Sequence, residues 1–553
     1  MIALAPFERF FARLAPDAAQ HATPLLAKVL AAWEEGHAFV RLNDAQTRAA
    51  RAAAPLIAEN AAAPLVLSRQ RLFLGKVWDM ERDCARHLSR LAAAGAPPAG
   101  NFAPLFAEYF PDAASHEQAQ AAALALLHHF LLISGGPGTG KTTTVAKILA
   151  LLCHAPTELP RIALTAPTGK AAAHLQQSLR RTLDTFRLPE NIHAHLSALN
   201  GQTLHRLLGI APPLLRARYD ADNVLPYDII IADEASMIDL SLMHKLLTAV
   251  GKGSRLILLG DENQLPSVGA GAVLSALARP TVLTAQAAAQ LQTWLPAIDI
   301  AQSDAPPPLS SAVARLTVSR RFAADSGIGQ LARAVADNQA DAVACFDRFP
   351  QQLQLSTRNP KLFQDWYALQ HDYWQAIRAG DLQAAFTHFY DGMMLCVLRR
   401  DTEAFNRGYL KFLRQHGHGE EYFDGRALLI TRNHPALEIY NGDIGIVLRT
   451  ADDARAAVYF PDGNQFRRID IGRLGAHEDA FALTVHKSQG SEYREVRLLA
   501  PADAPPELFD RTLLYTAITR AKQRFVYIGS AESFTRAART RHDRRSALGD
   551  FLS

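Results

Sequence analysis

The hydrophobic pattern divides the chain into regions with different predicted architectures. Residues 1–110 are rich in alanine, leucine and arginine at helical spacing, as in LLAKVLAAWEEG, which predicts a helical N-terminal domain. Over residues 111–310, short runs that are apolar throughout alternate with helical segments; the runs are FLLIS, RIALT, DIIIA and RLILLG. Strands buried on both faces of a parallel sheet have this pattern. We therefore expect an α/β fold here.

A second α/β region follows a proline-rich stretch. The segment AQSDAPPPLSS at 301–311 is interpreted as a linker or loop, and the region after it is predicted to occupy 311–416 and 479–553. Between these parts, residues 417–478 contain short segments such as DIGIVL and QFRRIDI and the turn PDGN. This spacing favours a small antiparallel β-barrel inserted in the second region.

Composition narrows the class of protein without identifying it. A chain of 553 residues that is 49% hydrophobic can bury several cores, so two to four domains are expected. The net charge of +4 does not indicate a nucleic-acid binder, because net charge reports long-range attraction and not a local groove. No apolar run approaches the roughly 18 residues of a membrane helix, so we expect no membrane association. The arginine-rich end of the chain is interpreted as a solvated basic tail, with phosphate contact as the alternative.

Cysteine spacing suggests a reducing compartment. The four cysteines show no C-x-x-C pairing, which argues against a zinc or iron–sulfur site. We expect reduced core thiols in a cytoplasmic protein. These residues are Cys84, Cys153, Cys345 and Cys396.

The segment ISGGPGTGKTTT has the form of a phosphate-binding P-loop. It follows a predicted strand and opens a predicted helix, which is the context that the motif requires. Lys141 would place a positive charge against the phosphates, Thr142 would bind Mg²⁺, and Thr143 would support the loop. ATP and Mg²⁺ are therefore the expected ligands. Residues assigned to the nucleotide are Gly135, Gly136, Pro137, Gly138, Thr139, Gly140, Lys141, Thr142 and Thr143.

A second candidate group follows another predicted strand. In YDIIIADEASMID the strand ends in Asp233 and Glu234, and carboxylates at that position can hold Mg²⁺ and accept a proton from attacking water. We assign Asp233 to the metal and Glu234 to the general base, with an acidic helix N-terminus as the alternative. Gln264, in LILLGDENQLPSVGAG, is the candidate sensor of the γ-phosphate, and an ordinary turn residue is its alternative.

Eight segments in order resemble the motifs of superfamily 1 helicases, in the branch that moves 5′ to 3′. The segments are GGPGTGKTT, LTAPTGKAA, TLHRLL, IIADEASMID, LLGDENQLPSVGAG, SRRF, LTVHKSQGSEY and LLYTAITRAK. The resemblance implies two RecA-like P-loop motor domains with parallel sheets, with the barrel inserted in the second. It also implies that ATP hydrolysis drives movement along single-stranded DNA.

The same resemblance assigns further residues to the nucleotide. Arg321 in SRRF and Arg520 in TAITRAK are candidate arginine fingers, a role typically worth about 10³ to 10⁵ in rate; a surface salt bridge is the alternative for each. Gln118 resembles an adenine-reading glutamine, with a solvated helix residue as its alternative, and Gly490 is assigned to nucleotide binding. Arg320 stands where an aromatic residue is expected, which leaves the local packing open.

The resemblance also implies a surface that holds single-stranded DNA. Hydroxyls, backbone amides and one lysine in each motor domain hold phosphates without reading sequence. An ordinary loop or cap is the alternative for each threonine. The assigned residues are Thr165, Pro167, Thr168, Gly169, Lys170, Thr203, His205, Thr484, His486 and Lys487.

Within this branch the chain resembles the RecD family. The segments LSRQRLFLGKVWDMERDCARHLSRL and GRALLITRNHPALEIYNGDIGIVL carry that similarity. It implies RecB and RecC as partners, docking of the N-terminal domain on RecC, and action on single-stranded DNA and duplex ends in double-strand break repair by homologous recombination and in degradation of linear duplex DNA. It also implies that the nuclease centre lies in RecB, and the chain contains no clustered carboxylate–lysine nuclease motif.

Three alternatives stay open at this point. The N-terminal region could be a helical cap of the motor. The chain could be a free-standing 5′-to-3′ helicase, or a P-loop ATPase that uses nucleotide as an assembly switch.

Overall fold

The computed structural model describes residues 4–60, 63–93, 95, 100–112, 115–154, 158–210, 216–267, 269–271, 273–296, 298, 300–320, 326–339, 341–450, 453–463, 465–501 and 503–552. The chain forms two compact units. The first unit contains Met1–Glu262, Pro266–Val318 and Asp543–Ser553, and the second contains Asn263–Leu265 and Ser319–His542. No helix among the described residues is both long and apolar enough to cross a bilayer.

The N-terminal part of the first unit combines helices with a small sheet. Its helices are Ala5–Leu14, Pro16–Glu34, Asp44–Ala52, Gly75–Ala93 and Ala103–Tyr109. Its four-stranded sheet has the order Phe39–Arg41, Arg71–Leu74, Leu65–Ser68, Ile57–Ala58. The prediction of an all-helical region missed this sheet, because strands of two to four residues are too short to show a period. Their hairpin turn also lacks glycine, although Arg69 and Gln70 both have positive φ.

A six-stranded parallel sheet forms the core of the first unit. Its order is Val313–Leu316, Phe130–Gly135, Arg255–Gly260, Ile229–Ala232, Ile162–Ala166, Gly201–Thr203, and every pairing is parallel. The four apolar runs that predicted strands are the four central strands. They lack alternation because helices cover both faces. These helices are His116–Leu127, Lys141–His154, Gly169–Leu183, Glu190–Ser197, Leu204–Leu207, Leu240–Ala249, Val273–Leu277 and Ala285–Trp294.

Two predicted boundaries between the α/β regions are wrong. Strand Val313–Leu316 was assigned to the second region, which was predicted to begin at residue 311, but it pairs with Phe130–Gly135 in the first sheet. Residues Asp543–Ser553 were also assigned to the second region, yet they belong to the first unit, where helix Leu548–Phe551 lies. Both errors have the same cause. Each segment joins the first unit through contacts with residues that are distant in sequence, and a local pattern does not reveal such contacts.

The second unit contains a five-stranded parallel sheet. Its order is Leu353–Ser356, Ala521–Ile528, Tyr493–Leu499, Gly392–Cys396, Ala482–Thr484. Its helices are Gly327–Ala336, Cys345–Arg348, Leu362–Leu369, His371–Ala379, Leu382–Phe389, Arg399–Gln415, Arg511–Ile518 and Ala531–Arg539. The expectation of core thiols is confirmed, because all four cysteines of the chain are buried and free.

Between strands Gly392–Cys396 and Ala482–Thr484 of that parallel sheet, the chain forms a separate antiparallel sheet. Its order is Gln465–Asp470, Asp453–Asp462, Ile444–Thr450, Ala427–Ile430, His477–Asp479, and every pairing is antiparallel. Leu428, Val447, Val458 and Ile469 belong to a separate hydrophobic core of this sheet. The predicted turn is confirmed, since Asp462 pairs with Gln465 across Gly463, which has a φ of 62°.

Candidate functional site

Several candidate residues follow strands of the first parallel sheet. Parallel strands place their carboxyl ends at one edge of a sheet, which is where ligands bind in open α/β folds. The P-loop follows Gly135, Asp233 follows Ala232, Pro167 follows Ala166, and Leu204 follows Thr203. Parallel topology therefore gathers segments that are far apart in sequence.

The P-loop backbone needs glycine at several positions. Gly138 and Gly140 have φ values of 77° and 83°, a region that side chains with a Cβ rarely adopt. At Gly135 the constraint is space, because an added Cβ would lie 2.7 Å from the carbonyl oxygen of Leu316. Thr139 Oγ1 closes the turn by donating to the Gly136 carbonyl at 2.8 Å. The loop is thus shaped before any phosphate arrives.

Lys141 begins the helix that follows the loop. Its Nζ donates to the carbonyl oxygens of Gly135 at 2.6 Å and Gly136 at 3.1 Å. Thr142 and Thr143 are half-buried. The hydrogen bond that ties the helix to the loop comes from their neighbour Thr144, whose Oγ1 donates to the Gly140 carbonyl at 2.9 Å. The sequence predicted this supporting role for Thr143, whereas the structure gives the hydrogen bond to Thr144, the third threonine of the TTT run.

Gln118 contacts the P-loop directly. Its side chain is 3% exposed, and its Nε2 donates to the Thr139 carbonyl at 3.1 Å. Its Oε1 is buried and accepts no hydrogen bond from the part of the chain that the structure describes. A solvated helix residue, the alternative left open by the sequence, does not fit this burial. The free acceptor matches the amino group that adenine presents.

Asp233 and Glu234 form a constrained acidic pair. Asp233 Oδ1 accepts the Glu234 N–H at 2.8 Å. Burial raises the pKa of Asp233, while that N–H and the positive charge of Lys141 oppose the rise. Glu234 has φ 51° and ψ 44°, a left-handed conformation that costs a non-glycine residue on the order of 1 kcal/mol or more and is often found at functional sites. The residues that follow form only a three-residue 3₁₀ turn, Ala235–Met237, so this is not the start of an α-helix.

Thr142 and Asp233 are suitable donors for Mg²⁺. Both offer hard oxygen atoms, and a bound cation would favour the charged form of the buried Asp233 carboxyl. The described residues contain no group of three or more histidine, cysteine or acidic side chains that could form a metal cage. Mg²⁺ usually takes one or two protein carboxylates and completes its shell with water and phosphate oxygens.

The first group of proposed DNA contacts divides into capping, exposed and buried residues. Thr168 Oγ1 accepts the Ala171 N–H and Thr203 Oγ1 accepts the Arg206 N–H, each at 3.2 Å. Both threonines therefore cap helices, which is the alternative role that the sequence left open for them. His205 is exposed, while Pro167, Gly169 and Lys170 are half-buried.

Thr165 requires a correction. Its side chain is fully buried within strand Ile162–Ala166, and its carbonyl accepts the Asp233 N–H at 2.9 Å. The assignment of Thr165 as a DNA contact is therefore wrong, because a side chain in the sheet core cannot reach a bound strand. Its carbonyl supports the backbone of Asp233 instead.

The second group of proposed DNA contacts follows strand Ala482–Thr484. His486 and Lys487 are exposed and Thr484 is half-buried. The Lys487 N–H donates to Thr484 Oγ1 at 3.4 Å, and the Lys487 ammonium forms an ion pair with Glu478. A phosphate that binds Lys487 must compete with this carboxylate. The nearby Gly490, assigned to the nucleotide, has a φ of 70°.

Arg520 is a buried cation held by backbone carbonyls. Its side chain is 3% exposed, and it donates from Nε to Thr516 at 3.3 Å and from Nη1 to Ser491 at 3.2 Å. This geometry excludes the alternative of a surface salt bridge. The other candidate finger, Arg321, lies outside the described residues.

Two residues that sequence reasoning missed hold the backbone next to Gln264. The Leu265 N–H donates to Thr516 Oγ1 at 2.9 Å, and Gln489 Nε2 donates to the Leu265 carbonyl at 3.1 Å. Thr516 lies in the motif segment LLYTAITRAK and Gln489 in LTVHKSQGSEY. Their place in these motifs could have marked both as candidate site residues. Gln264 itself is buried.

Comparison with known proteins agrees with this geometry. Residues 118–270 match the family model described as an AAA domain, and residues 479–528 match the UvrD-like helicase C-terminal domain. Together with the P-loop and the acidic pair, these matches define a nucleotide-dependent P-loop protein of the helicase class.

Curated relatives define the family more closely. The chain is 37% identical to the RecBCD enzyme subunit RecD of Mycolicibacterium smegmatis, over 89% of this chain and 83% of that protein. It is 34% identical to the RecBCD enzyme subunit RecD of Haemophilus influenzae, over 80% and 74%. The chain belongs to the RecD family. It is also 32% identical to the ATP-dependent RecD2 DNA helicase of Deinococcus radiodurans, over 89% of this chain and 60% of that protein.

Proposed function

We propose that this chain is the ATP-dependent 5′-to-3′ DNA helicase subunit of a RecBCD-type enzyme. The observation that carries the proposal is the joint placement of a shaped P-loop, Lys141 and the Asp233–Glu234 pair on one parallel sheet, in a chain whose relatives are RecD subunits. The two units with parallel sheets are then two RecA-like motor domains, and the antiparallel sheet is a small β-barrel insertion in the second.

The residues of the P-loop act first in the proposed reaction. Gln118 binds adenine, and the loop amides from Gly136 to Thr142 bind the phosphates of ATP. Lys141 exchanges the carbonyls of Gly135 and Gly136 for phosphate oxygens. Thr142 and Asp233 would hold Mg²⁺, which would neutralise charge at the phosphates.

Hydrolysis then depends on a base and on positive charge. Glu234 accepts the proton of the attacking water. Gln264 senses the γ-phosphate, and Arg520 and Arg321 stabilise negative charge on the transferring phosphoryl group. The buried carbonyl partners of Arg520 keep its charge in one place.

Single-stranded DNA is held without sequence readout in this proposal. Thr168, Lys170 and His205 are proposed contacts, as are Thr484, His486 and Lys487. Pro167, Gly169 and Thr203 shape the backbone beside them. Such contacts address phosphates and sugars, which suits a motor that moves along arbitrary sequence.

RecB and RecC are the proposed partners, with nuclease activity supplied by RecB. The N-terminal residues are the proposed docking site for RecC. Helix Ala5–Leu14 exposes Phe10 and Leu14, each about half accessible, which supports an interaction surface there. The complex would act in the cytoplasm, at duplex ends, in double-strand break repair by homologous recombination and in degradation of linear DNA.

The deciding experiment is the rate of ATP hydrolysis with and without single-stranded DNA. It is measured on the chain alone and after co-purification with RecB and RecC. Stimulation by DNA together with recovery of a heterotrimer is expected. Stimulation without complex formation would favour a free-standing helicase. The similarity to the RecD2 helicase supports this second candidate. Absence of stimulation in both settings would favour the assembly-switch ATPase.

A further inference from the structure

The last residues of the chain pack into the first unit beside its N-terminal part. Glu81, on helix Gly75–Ala93, accepts hydrogen bonds from Ser546 Oγ at 2.6 Å and from the Ala547 N–H at 3.0 Å. The Phe551 ring meets the edge of Trp78 with centroids 5.8 Å apart, and Asp550 forms an ion pair with Arg71. This C-terminal segment, residues 543–552, is therefore packed into the fold. The expectation of a solvated tail does not hold for it.

Arg544 extends from this segment to a loop near the nucleotide motifs. Its Nη1 donates to the Gly269 carbonyl at 2.8 Å and to the Ser267 carbonyl. Ser267 and Gly269 lie in a loop at residues 266–271, of which the structure describes all but residue 268. The loop begins two residues after Gln264 in the sequence. The Arg544 guanidinium thus donates hydrogen bonds to backbone carbonyls of this loop.

The same loop is confined on its other sides. The Gly271 N–H donates to the Gly36 carbonyl at 3.1 Å, and a Cβ on Gly36 would lie 2.7 Å from Arg544 Nε. A Cβ on Gly269 would come within 2.7 Å of Asp239 Cβ. Gly36, Arg544 and the loop therefore form one closely packed junction.

This junction also touches the segment that carries the acidic pair. Asp239 lies five residues after Glu234 and caps helix Leu240–Ala249 by accepting the Leu242 N–H at 2.8 Å. The Leu240 N–H donates to the Ala270 carbonyl at 3.4 Å. The 266–271 loop is thus packed against the start of the helix that follows the Glu234 segment.

We propose that Arg544 is a positioning residue for ATP hydrolysis. It fixes the 266–271 loop, and the loop in turn fixes the start of helix Leu240–Ala249 and the Glu234 segment that precedes this helix. The guanidinium is suited to this role, because its planar array of donors can bind two carbonyls at once, whereas a lysine offers a compact charge on a flexible stem. The inference rests on the proposed ATPase function, since it concerns how that site is held.

The test compares Arg544→Ala and Arg544→Lys with Arg545→Ala in the full chain. Arg545 is the matched control, because it is the next residue, carries the same charge and is exposed. Steady-state ATP hydrolysis at saturating single-stranded DNA gives kcat and KM for ATP, a fluorescent ATP analogue gives the affinity for nucleotide, and thermal unfolding reports the fold.

The expected result is a loss of kcat without an equal loss of binding. Arg544→Ala should lower kcat by about 10-fold while KM changes by less than about twofold, because a displaced supporting loop impairs the transition state more than ground-state binding. Arg544→Lys should recover part of the rate. Arg545→Ala should stay within about twofold of the wild-type kcat, since it removes charge without touching the loop.

Other outcomes would overturn the proposal. Wild-type kcat in Arg544→Ala would do so, as would an equal loss in Arg545→Ala, which would indicate a general effect of charge. A higher KM for DNA with unchanged kcat would indicate phosphate contact. If Arg544→Ala does not fold, the lysine variant decides, since a wild-type kcat there removes the requirement for the guanidinium. No hydrolysis by the wild-type chain, alone or with RecB and RecC, would refute the proposed function itself.

Discussion

Lys141 Nζ lies 2.6 Å from the carbonyl oxygen of Gly135, the residue that ends the strand before the P-loop. The lysine is thus held near the loop by neutral acceptors. A phosphate offers stronger, charge-assisted hydrogen bonds, so ATP can displace these carbonyls.

Replacing Lys141 by alanine should therefore abolish most ATP hydrolysis. We expect a loss of about 100-fold or more in kcat, the scale for removal of one donor that stabilises transition-state charge. Binding to single-stranded DNA should be largely retained. The exposed Lys252 provides the control, because Lys252→Ala removes the same charge elsewhere in the unit. Near-wild-type turnover in Lys141→Ala would refute the P-loop assignment.

Arg520→Ala should slow hydrolysis more than it weakens nucleotide binding. A finger arginine acts on charge that develops in the transition state, so a loss of about 10³-fold in kcat is expected with a much smaller change in the affinity for ATP. Nucleotide titration and single-turnover hydrolysis separate the two effects. Lys522→Ala is the control, since Lys522 is exposed and lies two residues away. Unchanged rate and affinity would remove Arg520 from the site.

Glu478 should restrain the binding of DNA through its ion pair with Lys487. Glu478→Gln should strengthen binding to single-stranded DNA because the lysine is released. Lys487→Ala should weaken binding equally on different sequences and reduce the slope of log K against log salt by about 0.7, the value for one phosphate contact on a single strand. Fluorescence anisotropy over a range of salt concentrations measures both. Equal salt slopes in Lys487→Ala and the wild type would show that Lys487 does not contact phosphate.

Gln118→Ala should raise KM for ATP. Gln118 offers a buried acceptor and donates to Thr139, so its loss removes an adenine contact and loosens the loop. One such hydrogen bond is worth about 1 kcal/mol, which corresponds to roughly a fivefold change in KM. A comparison of ATP with a triphosphate that lacks the adenine amino group tests the assignment. Unchanged preference between the two nucleotides in the variant would contradict adenine recognition.

Glu81 predicts how stability depends on pH. Burial raises its pKa from the ordinary 4.5 to about 7, against the opposing influence of Ser546, Ala547 and Arg71. The folded protein binds this proton more tightly than the unfolded chain, so the free energy of unfolding falls as pH rises from about 4.5 to about 7 and then levels off. The fall amounts to about 3 kcal/mol.

Glu81→Gln should remove this part of the pH dependence. The amide oxygen still accepts a hydrogen bond, but the group no longer titrates. Denaturation between pH 5 and 8 is the measurement, and Glu59→Gln is the control because Glu59 is exposed. Identical pH profiles for Glu81→Gln and the wild type would contradict the assignment.

The sequence predicted the central strands of the first sheet because burial on both faces makes them uniformly apolar. It did not single out Gly201–Thr203 or Val313–Leu316. Both are edge strands. Each forms a strand because it pairs with its one neighbour, and its composition contributes less. The same distinction explains the N-terminal sheet, whose strands are too short to reveal their period.

The candidate site was predictable where its chemistry is local. A P-loop needs glycines, lysine and threonine in consecutive positions, so its residues could be assigned directly. The burial of Thr165 could also have been read from the apolar run RIALT that contains it. The ion pair of Lys487 could not, because its partner Glu478 lies on a short strand of the inserted antiparallel sheet, whose pairing brings the two side chains together. The junction at Arg544 could not either, because its partners are distant backbone carbonyls, which leave no trace in residue type.

The hydrogen bond between Glu81 and Ala547 spans 466 residues. During synthesis the helix that carries Glu81 leaves the ribosome long before its partner exists. Until then the carboxylate lacks these donors, and the N-terminal part cannot complete its packing. Native closure of this part is therefore delayed until residues 546–551 have been synthesised, and a product that stops before residue 543 leaves an uncovered apolar and acidic surface for chaperones and proteases to recognise.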